Sequence, residues 1–225
     1  MIDNLIELPT LEIVLADKIA YNEIASLNVY DRARWATMQG ELLMTTAANE
    51  TSEAIPRLWF IVNNKYPKMY FTNHGLYPQR RWDNLYSMLE KGMNIEILNL
   101  GYTEKDVEKE YGRIWETQQG PDFDRWRKEQ KHGHLNYVLS KMNVKPVLWI
   151  QGITDWREDK IVKKYNGLAQ FYPFVDMTKE QLKQLMSEWQ AEIYPASEDV
   201  AKSPHTKLEC GNRESVGMFI NGDGI

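Results

Sequence analysis

The chain has 225 residues, of which 43% are hydrophobic and 26% charged, a composition that excludes wholesale disorder and allows a substantial buried core. Its formal net charge of -5 argues against a protein that coats nucleic acid, because such binding neutralises phosphates with clustered Lys and Arg; a local basic groove stays open. A single cysteine, Cys210, excludes an internal disulfide and fits a reducing compartment.

The opening MIDNLIELP lacks the basic-then-apolar order of an export signal, and no apolar run approaches the roughly 20 residues of a membrane span. A cytoplasmic protein without membrane contact is expected.

From Pro9, the residues Ile13, Ala16, Ala20, Ile24 and Leu27 recur at steps of three and four, the spacing of one apolar helical face. A second helical stretch runs from Tyr30 to about Ala48 with Trp35, Met38 and Leu42 on its stripe, so the chain opens with a helical pair. Two aromatic and β-branched runs follow, Arg57 to Val62 and Lys68 to Asn73, joined by NNKYP; this pattern predicts an antiparallel hairpin. Beyond it, Gln79 to Lys91 reads as a helix closed by Gly92, in the position a C-terminal glycine favours.

Asn94 to Leu100 predicts a strand, and Thr103 with Asp106 forms a capping box for a helix carrying Val107, Tyr111 and Ile114. Gly120 and Pro121 break that helix, and another starts near Asp122 and resumes at Leu135. The run Pro146 to Asp155, PVLWIQGITD, lacks alternation, as a strand covered on both faces does. Thr154 or Asp155 then caps a further helix. Ala169 to Val175 predicts a strand that Pro173 places at a sheet edge, and Thr178 with Gln181 opens the last helix.

The expected fold is therefore mixed α/β: a sheet of about five strands with an antiparallel hairpin and βα repeats, plus the N-terminal helical pair. Residues 1–195 are expected to form a single domain. Residues 196–225, rich in Ser, Gly, Asn and Lys, read as a poorly ordered tail with a short strand at Val216 to Ile220.

Three strand-to-helix transitions are short and polar: LGYTEKD, QGITDWRED and FVDMTKEQ. If their strands are parallel neighbours, the turns share the edge where open α/β sheets bind ligands, and each offers the free N–H groups of a helix start to an anion. The candidates there are Gly101, Tyr102, Thr103, Gln151, Gly152, Thr154, Asp155 and Asp176. Taken singly, Thr103, Asp155 and Thr178 are more simply helix caps.

WIQGITD resembles the hydrophobic-Glu-Gly-x-x-Asp opening of the Toprim metal-binding fold, but Gln151 stands where the glutamate belongs and no Asp-x-Asp follows a later strand. That family is not assigned. Asp122 and Asp124 follow QQGP rather than an apolar strand, and His132 and His134 lack a third ligand. No P-loop, GxGxxG after a strand, GxSxG or HExxH occurs.

Arginine recurs beside tryptophan, at Arg34/Trp35, Arg57 near Trp59, Arg81/Trp82, Arg113 near Trp115, Arg125/Trp126 and Trp156/Arg157. A guanidinium clamps phosphate and an indole face stacks a base; against this stands buried Trp beside solvated Arg. Together these features point to an enzyme, of transferase type, acting on a nucleotide, a nucleotide-linked donor or a nucleic-acid base. Asp155 and His74 are its acid/base candidates, and Arg80, Arg81 and Trp82 its phosphate and base contacts. The alternative is a non-catalytic module that binds single-stranded nucleic acid or a protein through Arg/Trp anchors. No metal site, cofactor or oligomeric state is indicated.

Overall fold

The computed structural model describes residues 8–73, 75–77, 79–114, 120–126, 129, 133–152, 161–165 and 168–194. Two compact units emerge, Met1–Thr45 with Thr51–Pro67 and Asn143–Ile193, and Thr46–Glu50 with Lys68–Met142 and Tyr194–Ile225.

The first unit opens with α1 (Leu11–Ala16), α2 (Lys18–Ser26) and α3 (Val29–Met38). The first predicted helix is split at Asp17, which takes an extended conformation and accepts the Ile19 amide on its side chain, so the acid serves as N-cap where the sequence pattern runs on. Asn28 caps α3 in the same way through Tyr30 and Asp31. The predicted continuation of this helix to Ala48 does not form: α3 stops at Met38 and Leu42–Met44 becomes a strand, β1. Gly40 at φ +131 lies in that break, a backbone conformation side-chain-bearing residues rarely adopt.

The predicted hairpin is also overturned. Ala54–Asn63 is a helix, α4. Its buried residues, Ala54, Ile55, Leu58 and Trp59, follow the helical period, while Ile61 is exposed. Asn64 closes it in the left-handed region at φ 53, where asparagine is tolerated.

The unit's sheet has the order β1-β4-β6-β5, with β4 (Leu148–Ile150) and β6 (Leu168–Phe171) parallel to β1, and β5 (Val162–Tyr165) antiparallel to β6. The one antiparallel pairing among the described residues is thus β5–β6. β6 is interior rather than at an edge, because Pro173 falls beyond the strand and removes no donor from the ladder. One face of the sheet carries Met44, Ile150 and Phe171, with the buried Trp35 ring of α3 5.6 Å from Phe171. The last helix of this unit, α9 (Lys179–Glu188), starts at the predicted Thr178–Gln181 capping box.

The second unit contains a two-stranded parallel sheet, β2 (Met69–Asn73) with β3 (Ile95–Asn99), together with α5 (Gln79–Glu90), α6 (Glu104–Tyr111), α7 (Pro121–Trp126) and α8 (Gly133–Lys141). Gly92 follows α5 at φ +77, as its predicted role requires. One apolar cluster joins Leu76, Val107, Tyr111, Ile114, Phe123 and Trp126. A second joins Ala48, Phe71 and Leu85, with Tyr77, Trp82, Leu89 and Ile95 around it. Six strands are therefore present among the described residues, in two sheets, rather than about five in one.

Candidate functional site

The predicted meeting of three turns on one sheet edge is not what the topology gives. β4 and β6 are parallel neighbours, but β3 pairs with β2 in the other sheet. The carboxyl ends that do lie side by side are those of β1, β4 and β6, and the register there determines which side chains share a face.

Leu43 pairs with Trp149, and Trp149 with Gln170. Cross-strand partners project to the same side of a sheet, and residues two apart along a strand do so as well. Trp149, Gln151, Gln170 and Tyr172 consequently stand on one face, opposite the face that meets Trp35. The amide of Gln151 donates to the Phe171 carbonyl, which extends the β4–β6 ladder one step past β4. The Trp149 indole Nε1 donates to Thr45 Oγ1 at 3.1 Å, adding the end of β1 to this row.

The row is polar and deeply buried. Gln170 is 2% exposed and Gln151 8%. The Tyr172 hydroxyl donates to Gln170 Oε1, so the amide oxygen is used and the NH2 group faces elsewhere. Among the described residues, neither Gln151 Nε2 nor Gln170 Nε2 has a hydrogen-bond partner. A buried donor left unpaired costs about 1–3 kcal/mol; Arg32 Nε, Arg57 Nε and Trp59 Nε1 are further such donors in the first unit, but these two lie on one face at the ends of parallel strands. Near it, Gly152 lies 3.5 Å, measured from an added Cβ, from a side-chain carbon of Ile55 in the first turn of α4.

The other sequence-predicted residues fall into different roles. Asp176 accepts both terminal nitrogens of Arg32, at 2.5 and 2.8 Å, and Arg32 also donates to the carbonyls of Pro173 and Ala25. Its carboxylate thus ties the segment after β6 to α3. Thr103 caps α6: its hydroxyl donates to Asp106 at 2.6 Å, and its amide reaches the same carboxylate at 2.8 Å. These bonds from the Thr103 hydroxyl and amide hold the Asp106 carboxyl below its ordinary 3.8.

Tyr102 packs against the Val107–Trp126 cluster, and a shallow depression of about 450 Å³ lies beside it, lined by Gly101, Tyr102, Asp106, Lys109 and Glu110. Gly75 makes the closest approach here. A Cβ on it would stand 2.5 Å from the Tyr102 carbonyl oxygen.

Arg81 is buried and donates to the Ala47 carbonyl at 3.2 Å, while Asn84 donates to that of Ala48 at 2.9 Å. Both hold the segment after β1, where Ala48 adopts φ 51. Arg80 is half-buried on α5. Trp82 meets Phe71 edge-on at 5.3 Å and Tyr86 at 6.2 Å.

Of the tryptophans in the Arg/Trp pairs, Trp35, Trp59 and Trp126 are buried, Trp82 is half-buried, and Trp115 and Trp156 lie outside the described residues. The guanidinium groups that meet rings choose tyrosines instead, Arg57 over Tyr66 and Arg125 over Tyr111. His74, Thr154 and Asp155 lie outside the described residues, as do His132 and the tail 196–225; the helix predicted after Asp155 is described only at its end, where Val162–Tyr165 is strand β5 instead. Among the described residues no cluster of His, Cys, Asp and Glu could hold a metal, and no helix is long and apolar enough to cross a membrane.

Sequence reasoning found Gln151 but missed Thr45, Trp149, Gln170 and Tyr172. The available signal was a glutamine inside the otherwise apolar run AQFYPFV, a polar side chain with no capping role to fill.

No family model and no curated protein matches the chain. Its fold is similar to that of the phosphoadenylyl-sulfate (PAPS) reductase of Candida auris, solved as a phosphate complex, with a TM-score of 0.65 and 15% identity over 83% of this chain and 90% of that one. It is also similar to NMN synthetase from Francisella tularensis, with a TM-score of 0.50 and 11% identity over 88% and 86% of the two chains. At such identities the likeness establishes a shared mixed α/β fold and assigns no residue a role.

Proposed function

We propose that the protein is an enzyme of transferase type that acts on a nucleotide or a nucleotide-linked donor, at the carboxyl ends of β1, β4 and β6. The observation that carries this reading is the polar row of the half-buried Thr45 and the buried Gln151 and Tyr172, with Trp149 and Gln170 beneath it. Open α/β sheets take their ligands at this end of parallel strands. Two solved proteins of similar fold are named for phosphoadenylyl-sulfate and NMN, which favours a nucleotide over other ligands of such sheets.

In this reading Gln151 contacts the ligand, and Asp155 stays a candidate for proton transfer. Asp176 and Arg81 are reassigned from ligand contacts to supports, because Arg32 and the Ala47 carbonyl already engage them. His74, Arg80 and Trp82 belong to the second unit and stay candidates there, for proton transfer, phosphate and base, with no place assigned at these strand ends. Burial of Trp35, Trp59 and Trp126 weighs against these three as Arg/Trp anchors of a binding module, since an anchor has to reach its partner. Calorimetric titration with ATP, GTP, UTP and CTP tests the proposal: at least one is expected to bind, and silence across the four at millimolar ligand would remove it.

A further inference from the structure

The unpaired amides of Gln151 and Gln170 say which part of a nucleotide this sheet end would take. We infer that the two glutamines form a base-reading subsite, donating from Nε2 to ring-nitrogen or carbonyl acceptors of a nucleobase; this rests on the nucleotide reading above.

The polar groups of the row are already sorted into used and unused. Trp149 Nε1 is spent on Thr45 Oγ1, and the oxygen of Gln170 is spent on the Tyr172 hydroxyl. What remains buried and unpaired is donor capacity only, the NH2 groups of residues 151 and 170. In the orientation the structure shows, the Gln170 oxygen accepts from the Tyr172 hydroxyl and its NH2 is the group left over. The matching ligand group is therefore rich in acceptors.

Charge narrows the choice further. Thr45, Trp149, Gln151, Gln170 and Tyr172 are neutral, and an anion buried against neutral donors keeps much of its desolvation cost. A nucleobase edge is neutral, flat and bears acceptors, and side-chain amides are established readers of such edges. Phosphate recognition is left to other residues.

The experiment measures affinity for ATP, GTP and UTP, with inorganic tripolyphosphate as a base-free control, for the full chain and for Gln151→Leu, Gln170→Leu and Gln170→Glu. Each leucine variant is expected to bind the tightest nucleotide about tenfold more weakly, the loss of one ordinary hydrogen bond. Tripolyphosphate should bind all the proteins alike. The thermal midpoint of Gln151→Leu should not fall, because an unpaired buried donor is replaced by apolar volume, whereas Gln170→Leu also removes the acceptor of the Tyr172 hydroxyl and should lower it. Gln170→Glu keeps the shape and exchanges donors for acceptors, so it should weaken nucleotide binding even if a leucine variant packs poorly.

Nucleotide affinity unchanged in all three variants would overturn the inference and leave the nucleotide reading intact. Equal losses for nucleotide and tripolyphosphate would overturn it too, by placing the amides against phosphate. A wild-type chain that binds no nucleotide would remove the reading and the inference together.

Discussion

Two strand ends of this molecule carry polar residues and treat them in opposite ways. After β3, Thr103 and Asp106 satisfy each other and the first turn of α6, leaving a capped, exposed helix start. After β4 and within β6, Gln151 and Gln170 are buried with their amide nitrogens unpaired. Polar residues at a strand end are common to both. What separates a cap from a ligand site is whether the local backbone consumes their hydrogen-bonding capacity.

Asp176 belongs with the first kind despite its place after β6. Its bidentate bond to the buried Arg32 is a complete pairing, and it fixes a turn rather than offering a free carboxylate.

Substitutions at the satisfied positions should therefore cost stability and spare binding. The largest effect is expected for Gly75→Ala, which sets a Cβ 2.5 Å from a backbone oxygen at φ +84. Strain of this kind amounts to about 3 kcal/mol, read by urea denaturation; a loss below about 1 kcal/mol would show that the β2–β3 end is not packed as described. Arg32→Ala should cost about 2–3 kcal/mol, since it strands two carbonyls and Asp176, and the charged hydrogen bonds lost are of that strength. Because the Asp176 side chain is 53% exposed, Asp176→Asn should cost less, about 1 kcal/mol. A loss of nucleotide affinity in Asp176→Asn without a matching loss of stability would return this carboxylate to the site.

Thr103→Ala should remove about 1 kcal/mol, as other N-cap deletions do, with ligand affinity unchanged. If affinity fell instead, the β3 end would join the site. The smallest effect concerns pH. Asp106 is held below its ordinary value by Thr103, so its contribution is present above that value and fades as pH falls through the lower, folded one. The fall in stability on acidification below about pH 4 should be shallower in Thr103→Ala than in the parent chain, as measured by denaturation at several pH values. Lys68 shifts the other way, raised from 10.5 first by its bond to Glu96. Its contribution is complete below 10.5 and is lost as pH rises through the folded value.

Much of the second half was legible because its signals are local. The capping boxes at Thr103 and Thr178, the glycine after α5, β3 and the buried β4 each depend on a few adjacent residues, and all stand where the sequence puts them. The failures have a common cause. RLWFIV is rich in strand-favouring residues, yet it is helical, since burial of Leu58 and Trp59 on one stripe decides the matter. LLM has ordinary helix formers, yet Leu42–Met44 pairs with Leu148–Ile150 as a strand. Propensities differ by only about 1 kcal/mol, so packing overrides them.

The sequence by itself determined an α/β chain, its helix caps, a buried strand at LWI and the candidacy of Gln151. Only the tertiary structure decided which strands are neighbours, that β3 leaves the predicted edge, and that Gln170 stands beside Trp149 on the same face as Gln151. The reason is physical: a cap is completed within four residues of chain, whereas an unpaired amide is recognised only when every neighbour that could have paired with it is in place.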